Sequence, residues 1–254
     1  MGVHALLHRI AVNIALATLL VISLLFSLPL WLSVRLRQWV FARILEFTIA
    51  VRQAAFADTR RDVLTALNGI ESHDPELRSE GAIRVLEIGA GIGANFNFIR
   101  RKMKYWNIDP NEDLQSGFLE ALRKNPQVEM ERCVVGYGEN MKEVPDNHFD
   151  VVLTTHVFCS VQCSEKVLQE CRRVLVKGGR LLFMEHVALP KGTIGRFLQN
   201  LVAPLWRLIF CGCNPNRDSA EVIKNAGFSR VHLKEVYLDL PIFITRQLYG
   251  YAIA

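Results

Sequence analysis

The chain has 254 residues, 50% apolar and 22% charged, a balance that fits one good-sized core with an appendage and excludes a disordered protein. Its net charge of +5 is localised: residues 1–61 carry seven arginines against Glu46 and Asp58, and the remainder has 23 basic and 23 acidic residues. The basic balance therefore belongs to the N-terminal segment and gives no reason to expect nucleic acid binding by the globular part.

Residues 10–34 hold no ionisable side chain and are bounded by Arg9 and Arg35. A helix needs about 20 apolar residues to cross a bilayer, whereas a cleavable signal has a core of only about 7–15. The segment 1–37 therefore reads as a retained membrane anchor. Arg35, Arg37 and Arg43 outweigh Arg9, which places the globular part of the chain in the cytosol. Pro29 leaves open a hairpin that inserts and returns without crossing.

Residues 38–67 read as a helix with arginines on one side and Trp39, Phe41, Ile44, Leu45 and Phe47 between them. It is either an interfacial helix meeting anionic headgroups or a solvated helix covering one edge of the domain. Gly69, Pro75 and several polar breaks make residues 68–81 a linker. The predicted organisation is thus an anchor over 1–37, an amphipathic helix and linker over 38–81, and one domain over 82–254.

Within that domain strands and helices alternate in the manner of parallel α/β proteins. Strands are expected at 83–88, 103–108, 128–135, 149–155, 180–184, 231–236 and roughly 247–252. Helices are expected at 94–102, 112–124, 164–176 and 219–225, with an apolar helical stretch over 190–215 interrupted at Pro204. Lys177, Gly178 and Gly179 break the chain between helix and fifth strand. No internal repeat or low-complexity segment is found.

The first strand runs into Gly89, Gly91 and Gly93. Glycines there permit a tight turn and the close approach of a ligand at the carboxyl ends of parallel strands. Gly89, Gly91 and Ala94 also satisfy the dinucleotide fingerprint, so this turn alone does not choose the cofactor. Asp109 ends the second strand twenty residues after Gly89, where a carboxylate accepts hydrogen bonds from a ribose diol or merely caps the next helix.

Two further motifs decide. The loop Gly138-Glu-Asn140 precedes the strand beginning Phe149-Asp-Val-Val, and Glu170-Cys-Arg-Arg-Val-Leu-Val-Lys-Gly-Gly179 leads into the fifth strand. In that order they resemble class I S-adenosylmethionine-dependent methyltransferases, with Lys177 where proline is usual. The segments Glu87-Ile-Gly-Ala-Gly-Ile-Gly-Ala-Asn-Phe96, Asp109-Pro-Asn111, Gly138-Glu139, Cys159-Ser-Val161, Glu185-His-Val187, Gly212-Cys213 with Arg217, and Tyr249-Gly-Tyr-Ala252 narrow the resemblance to the methyltransferase-like protein 7 family. These are membrane-anchored enzymes regarded as alkyl thiol S-methyltransferases of the endoplasmic reticulum and lipid droplets. Asn140 departs from the acidic residue usual there, and His156 from an aliphatic one.

The resemblance implies a Rossmann-like α/β fold with a seven-stranded, mostly parallel sheet and S-adenosyl-L-methionine as cofactor. It implies that Glu87, Gly89, Gly91 and Gly93 cradle the methionyl end and that Asp109 holds the ribose. Gly138, Glu139 and Asn140 would frame adenine, with Thr155 and His156 beside the methyl. A thiol acceptor reacts as thiolate, so a histidine base is expected: His186 beside Glu185 first, His156 second, each with the alternative of a structural role. The expected acceptor is a lipophilic small molecule, the expected surface a membrane contacted through residues 10–34, and neither nucleic acid nor metal is expected.

The six cysteines (Cys133, Cys159, Cys163, Cys171, Cys211 and Cys213) show no paired zinc-type spacing and read as reduced thiols in a cytosolic setting. Cys211 and Cys213 read as plain buried thiols rather than a redox pair. Other readings are an O- or C-methyltransferase of a lipid or quinone, a membrane or lipid-droplet interaction protein with a degenerate cofactor site, and a nicotinamide-dependent oxidoreductase. Intact Gly89, Gly91, Gly93 and Asp109 argue against degeneracy, and the oxidoreductase leaves Gly138–Asn140 and the 177–179 turn unexplained.

Overall fold

The computed structural model describes Leu25 and residues 27–254. The expected anchor over 10–34 lies mostly outside the described residues, and no described helix is long and apolar enough to cross a membrane.

Seven strands form one sheet: β1 (Ile83–Ile88), β2 (Met103–Ile108), β3 (Val128–Val134), β4 (Phe149–Thr155), β5 (Leu175–His186), β6 (Arg230–Tyr237) and β7 (Arg246–Ile253). Their order is β3-β2-β1-β4-β5-β7-β6. β7 runs antiparallel to both its neighbours, and the other pairings are parallel. Strand order reverses between β1 and β4, so a crevice opens at their carboxyl ends, where such sheets bind ligands.

The central strands are buried on both faces: β4 has no exposed residue before Thr155, and β1 admits solvent only at Arg84. This is why both read as continuous apolar runs rather than alternating ones. One face packs against α4 (Ser164–Val174) and α6 (Ser219–Lys224) through Val167, Leu168, Cys171 and Ile223. The other face packs against Phe96, Ile99 and Phe118, the last from α3 (Gln115–Arg123), and against Val63 and Leu64 from α1 (Val34–Thr65). Behind the sheet Asp150 ties down the linker. It accepts from Ser72 Oγ at 2.7 Å and from the backbone N–H of His73 and Arg84, each at 2.8 Å. The linker itself holds one short helix, α2 (Pro75–Ser79), with Asp74 as its N-cap.

Three local expectations are corrected. Residues 94–102 make only a single 3₁₀ turn, Phe96–Phe98. Phe96 and Ile99 are both buried there, and a three-residue spacing puts them on one side of a 3₁₀ turn. Pro204 does not interrupt its helix: α5 runs unbroken over Ile194–Ile209. Proline removes one N–H donor to the carbonyl of Asn200, a residue on the exposed side of the helix, where the loss of that donor costs least. The fifth strand starts at Leu175, ahead of the glycines, with a register shift between Phe149 and Val151 on β4 that absorbs the Lys177–Gly179 turn.

Candidate active site

The turn after β1 has the backbone that its glycines were expected to permit. Gly89, Gly91 and Gly93 have φ of +69°, +59° and +73°, a region costly to any residue with a Cβ. A Cβ at Gly89 would also stand 2.8 Å from Val157 Cγ2. Asp109, at the carboxyl end of β2, closes the turn from the side. Its Oδ2 accepts from Gly91 N at 3.0 Å and its Oδ1 from Asn111 N at 2.9 Å. Burial raises its pKa, and those two hydrogen bonds hold the shift back. Each oxygen keeps a lone pair for a ribose hydroxyl.

Glu87 lies beneath the turn, fully buried. Asn95 Nδ2 donates to its Oε1 at 2.6 Å, and the Tyr105 hydroxyl donates to its Oε2. Burial pushes its pKa up to about 7, against the hydrogen bonds from Tyr105 and Asn95 and the charge of Arg60. Asn95 Nδ2 also reaches Thr155 Oγ1 at 3.1 Å, which joins the turn to the end of β4. Asn95 lies within the Glu87–Phe96 motif but was assigned no role, and Tyr105 and Arg60, outside that motif, were not foreseen.

Gly138 is buried and packs on Ile88, where a Cβ would stand 2.9 Å from Cγ2. Glu139 turns its Oε1 toward the loop before α4, accepting from Gln162 N at 2.7 Å and Cys163 N at 3.4 Å. Asn140 is exposed at the rim. The loop thus borders the crevice, with Glu139 serving as its brace.

Beyond Thr155 the chain enters the left-handed region at His156, φ +57°. Its Nε2 lies 2.9 Å from Gln247 Oε1, while the Gln247 amide donates to Ile244 O at 2.6 Å. Gln247 therefore presents its oxygen, and His156 carries its proton on Nε2. Phe56 packs edge-on against this ring, with centroids 5.2 Å apart. Burial and the neighbouring His186 push its pKa down to about 3, so it is neutral at physiological pH and a weak base.

His186 stacks on His156, with ring centroids 5.9 Å apart. Glu185 faces the other way, as successive strand residues do. Its Oε1 accepts from Val157 N at 2.9 Å, and burial lifts its pKa to about 7. It braces the 157–159 loop and does not orient His186. The His186 Nε2 instead meets Cys213 Sγ at 3.1 Å. Burial opposes charge on His186, whereas the Cys159 sulfur and the Glu185 carboxylate raise its pKa above the usual imidazole value. That lift requires one of those two groups to be ionised. A hydrogen bond with Cys213, together with burial, holds the Cys159 thiol well above its ordinary range.

α1 roofs the crevice. Gln38 Nε2 donates to Pro110 O at 3.2 Å, Asn111 Nδ2 donates to Gln38 O at 3.1 Å, and Arg35 pairs with Asp113 at 3.0 Å. Leu45 Cδ2 lies 3.4 Å from where a Gly91 Cβ would be. α5 covers the neighbouring side. Its buried Gln199 donates to Phe243 O at 2.8 Å and Pro215 O at 3.0 Å and accepts from Leu189 N at 2.8 Å.

Residues 86–183 match a methyltransferase domain family. The chain is 35% identical over 218 residues to the human "Thiol S-methyltransferase TMT1A", covering 85% of this chain and 86% of that protein. It is 35% identical over 217 residues to rat "Thiol S-methyltransferase TMT1B", covering 83% and 86%. Among solved structures, a methyltransferase from Thermotoga maritima, described as a possible histamine N-methyltransferase, superposes with a TM-score of 0.56 at 18% identity, over 84% of this chain and 98% of that one. Sheet order, glycine turn and domain match together define a class I S-adenosylmethionine-dependent methyltransferase. The full-length similarity goes further: the chain belongs to the TMT1 thiol S-methyltransferase family, the methyltransferase-like protein 7 group.

S-adenosylmethionine is the methyl donor, and the site has the features to hold it. Three left-handed glycines keep side chains out of the turn, the Asp109 carboxylate faces it, and Asn95 Oδ1 and Glu139 Oε2 are buried without a partner among the described residues.

Proposed function

We propose that this methyltransferase transfers the methyl group to a lipophilic small-molecule thiol at a cytosol-facing membrane surface of the endoplasmic reticulum or a lipid droplet. The observation that carries the acceptor reading is the set of side chains gathered beyond the end of β4. Phe56, His156 and His186 pack as an apolar, imidazole-bearing wall that Trp206 joins through Cys213, and the nearby Glu185 carboxylate is held by Val157 N. Such a wall desolvates a sulfur nucleophile without offering the strong base that an alcohol would require. The relatives' names point the same way.

In this scheme the sulfonium supplies an electrophilic methyl, and the chain's own work is binding and alignment. Asp109 holds the ribose, the glycine turn and the Glu87–Asn95 pair hold the methionyl end, and Gly138, Glu139 and Asn140 border the adenine. His156 and His186 flank the acceptor. With His156 neutral, any proton it shares is accepted at Nδ1, because Nε2 is committed to Gln247.

Membrane attachment draws on two features. Residues 10–34 form an uncharged run long enough to span or to insert. α5 exposes Ile194, Phe197, Leu201 and Leu205 at 80%, 66%, 67% and 55% on one side, a spacing that puts all four on one helical stripe.

The test is methyl transfer from labelled S-adenosylmethionine, with detergent-solubilised protein, to an alkyl thiol and to the matching alcohol. Methylation of the thiol alone is the expected result. Transfer to the alcohol at a comparable rate would replace this reading with an O-methyltransferase.

A further inference from the structure

Cys159, His186 and Cys213 come from three separate segments: the loop after β4, the end of β5 and the turn after α5. All three are buried, and their ligating atoms lie within 4.8 Å of one another. In tetrahedral zinc, with a metal–sulfur bond of about 2.3 Å, two sulfurs stand about 3.8 Å apart. The observed separations are within about 1 Å of that spacing. We propose that Cys159, His186 and Cys213 bind a thiophilic divalent cation of the zinc class, whose fourth position takes the acceptor thiol as thiolate. This inference rests on the thiol-acceptor reading above.

Two sulfurs and an imidazole are a soft donor set suited to zinc. Three protein ligands with one open position is the pattern of catalytic rather than structural zinc. The segments that carry the ligands are fixed to one another before any metal arrives. Asn214 donates to Cys159 O twice, from its backbone N at 2.8 Å and from Nδ2 at 3.2 Å. Arg217 donates to Val161 O at 2.6 Å, and a Cβ at Gly212 would stand 3.2 Å from Ser160 O. Trp206 Nε1 donates to Cys213 Sγ at 3.3 Å, the outer-layer contact that tunes a metal-bound thiolate. His186 Nδ1 is buried with no partner among the described residues, so the imidazole has unspent capacity. The His186 ring also stacks on His156, which directly follows Thr155 at the crevice. The cluster therefore stands one ring away from the end of β4. A Cys159–Cys213 disulfide would consume both sulfurs and leave His186 idle.

The chemistry balances without an oxidant. The acceptor R–SH enters the fourth position as RS⁻, and its proton leaves on the hydroxide it displaces, as water. A sulfur lone pair forms the new bond to the methyl carbon while the methyl–sulfonium bond breaks, its electron pair returning to the donor's sulfur. R–S–CH₃ departs, and water re-enters the fourth position and releases one proton to solvent.

The experiment uses the full-length protein in detergent, reduced with a phosphine, desalted and loaded anaerobically with cobalt(II) alone or zinc(II) alone. The expected result is one metal per chain and, with cobalt, a thiolate charge-transfer band with tetrahedral d–d bands. Cys159→Ser, Cys213→Ser and His186→Ala lose the metal, and Cys211→Ser keeps it. An added alkyl thiol increases the charge-transfer intensity. Wild-type protein that is folded and binds S-adenosylmethionine but holds neither metal overturns the site, as does bound cobalt whose spectrum ignores the thiol. Metal-free protein that methylates the thiol at the full rate also overturns it, while leaving the acceptor reading intact. A metal-loaded protein that binds S-adenosylmethionine and methylates the alcohol instead overturns that reading, and the fourth-position role with it.

Discussion

Glu87 and Asp109 show how single carboxyls are set by their surroundings. Glu87 has a pKa near 7 against an ordinary value of 4.5, because burial outweighs the hydrogen bonds of Tyr105 and Asn95. A folded-state pKa above the unfolded one means that the native state holds this proton more tightly. The stability it contributes is full below about pH 4.5 and is lost as pH rises to about 7. Glu87→Gln removes that titration. Across this window the variant is expected to gain stability relative to wild type as pH rises, then to run parallel above it. Urea unfolding of the cofactor-free proteins at several pH values checks this, and a constant difference would contradict the shift. Asp109 braces Gly91 and Asn111, and its proposed task is to hold the cofactor ribose. Charged hydrogen bonds are worth about 1.5–3 kcal/mol each, so Asp109→Ala is expected to weaken S-adenosylmethionine binding by at least ~10-fold with the fold retained. Calorimetric titration beside circular dichroism measures both, and unchanged affinity would discard the ribose assignment.

At the scale of elements, legibility followed how local the deciding forces are. β1, β2 and β4 fall where their apolar residues cluster, because burial of most positions leaves a strong signal even with Arg84, Glu87, Lys104 and Asp150 among them. Residues 94–102 misled, since their helical spacing gave way to the pull of Glu87 on Asn95 and of the core on Phe96. α5 looked interrupted at Pro204, but the helix continues through it, the lost donor falling opposite the exposed Asn200. The same helix divides its roles by face. Gln199 is sealed inward by its backbone partners, while Ile194, Phe197, Leu201 and Leu205 stand outward. Replacing Phe197 and Leu201 together by aspartate is expected to reduce flotation with anionic vesicles and to leave methylation of a water-soluble thiol within about twofold, since surface changes cost little stability. Flotation equal to wild type would show that this stripe does not meet the membrane.

For the whole molecule, the residues that the sequence assigns to the cofactor come together because they occupy short motifs in the loops after β1, β2 and β3: Gly89 to Gly93, Asp109, Gly138 to Asn140. The proposed metal ligands were not legible in this way. Cys159, His186 and Cys213 sit in segments that the sequence showed separately, as Cys159-Ser-Val161, Glu185-His-Val187 and Gly212-Cys213, with no metal-type spacing to join them. Only the sheet, by placing β4 beside β5 and folding the 212–214 turn back on the 158–161 loop, brings them together. Glu185 was paired with His186 by adjacency, yet the alternation of a strand sends the two side chains to opposite faces.

The measurement that bears most directly on the thiol acceptor gives the enzyme one molecule carrying both nucleophiles. A medium-chain mercaptoalcohol, incubated with the protein and S-adenosylmethionine, offers a thiol and a hydroxyl at equal concentration and equal lipophilicity. Mass spectrometry of the product locates the methyl group. The predicted product is the S-methyl thioether with the hydroxyl free. An O-methyl ether with a free thiol would contradict it.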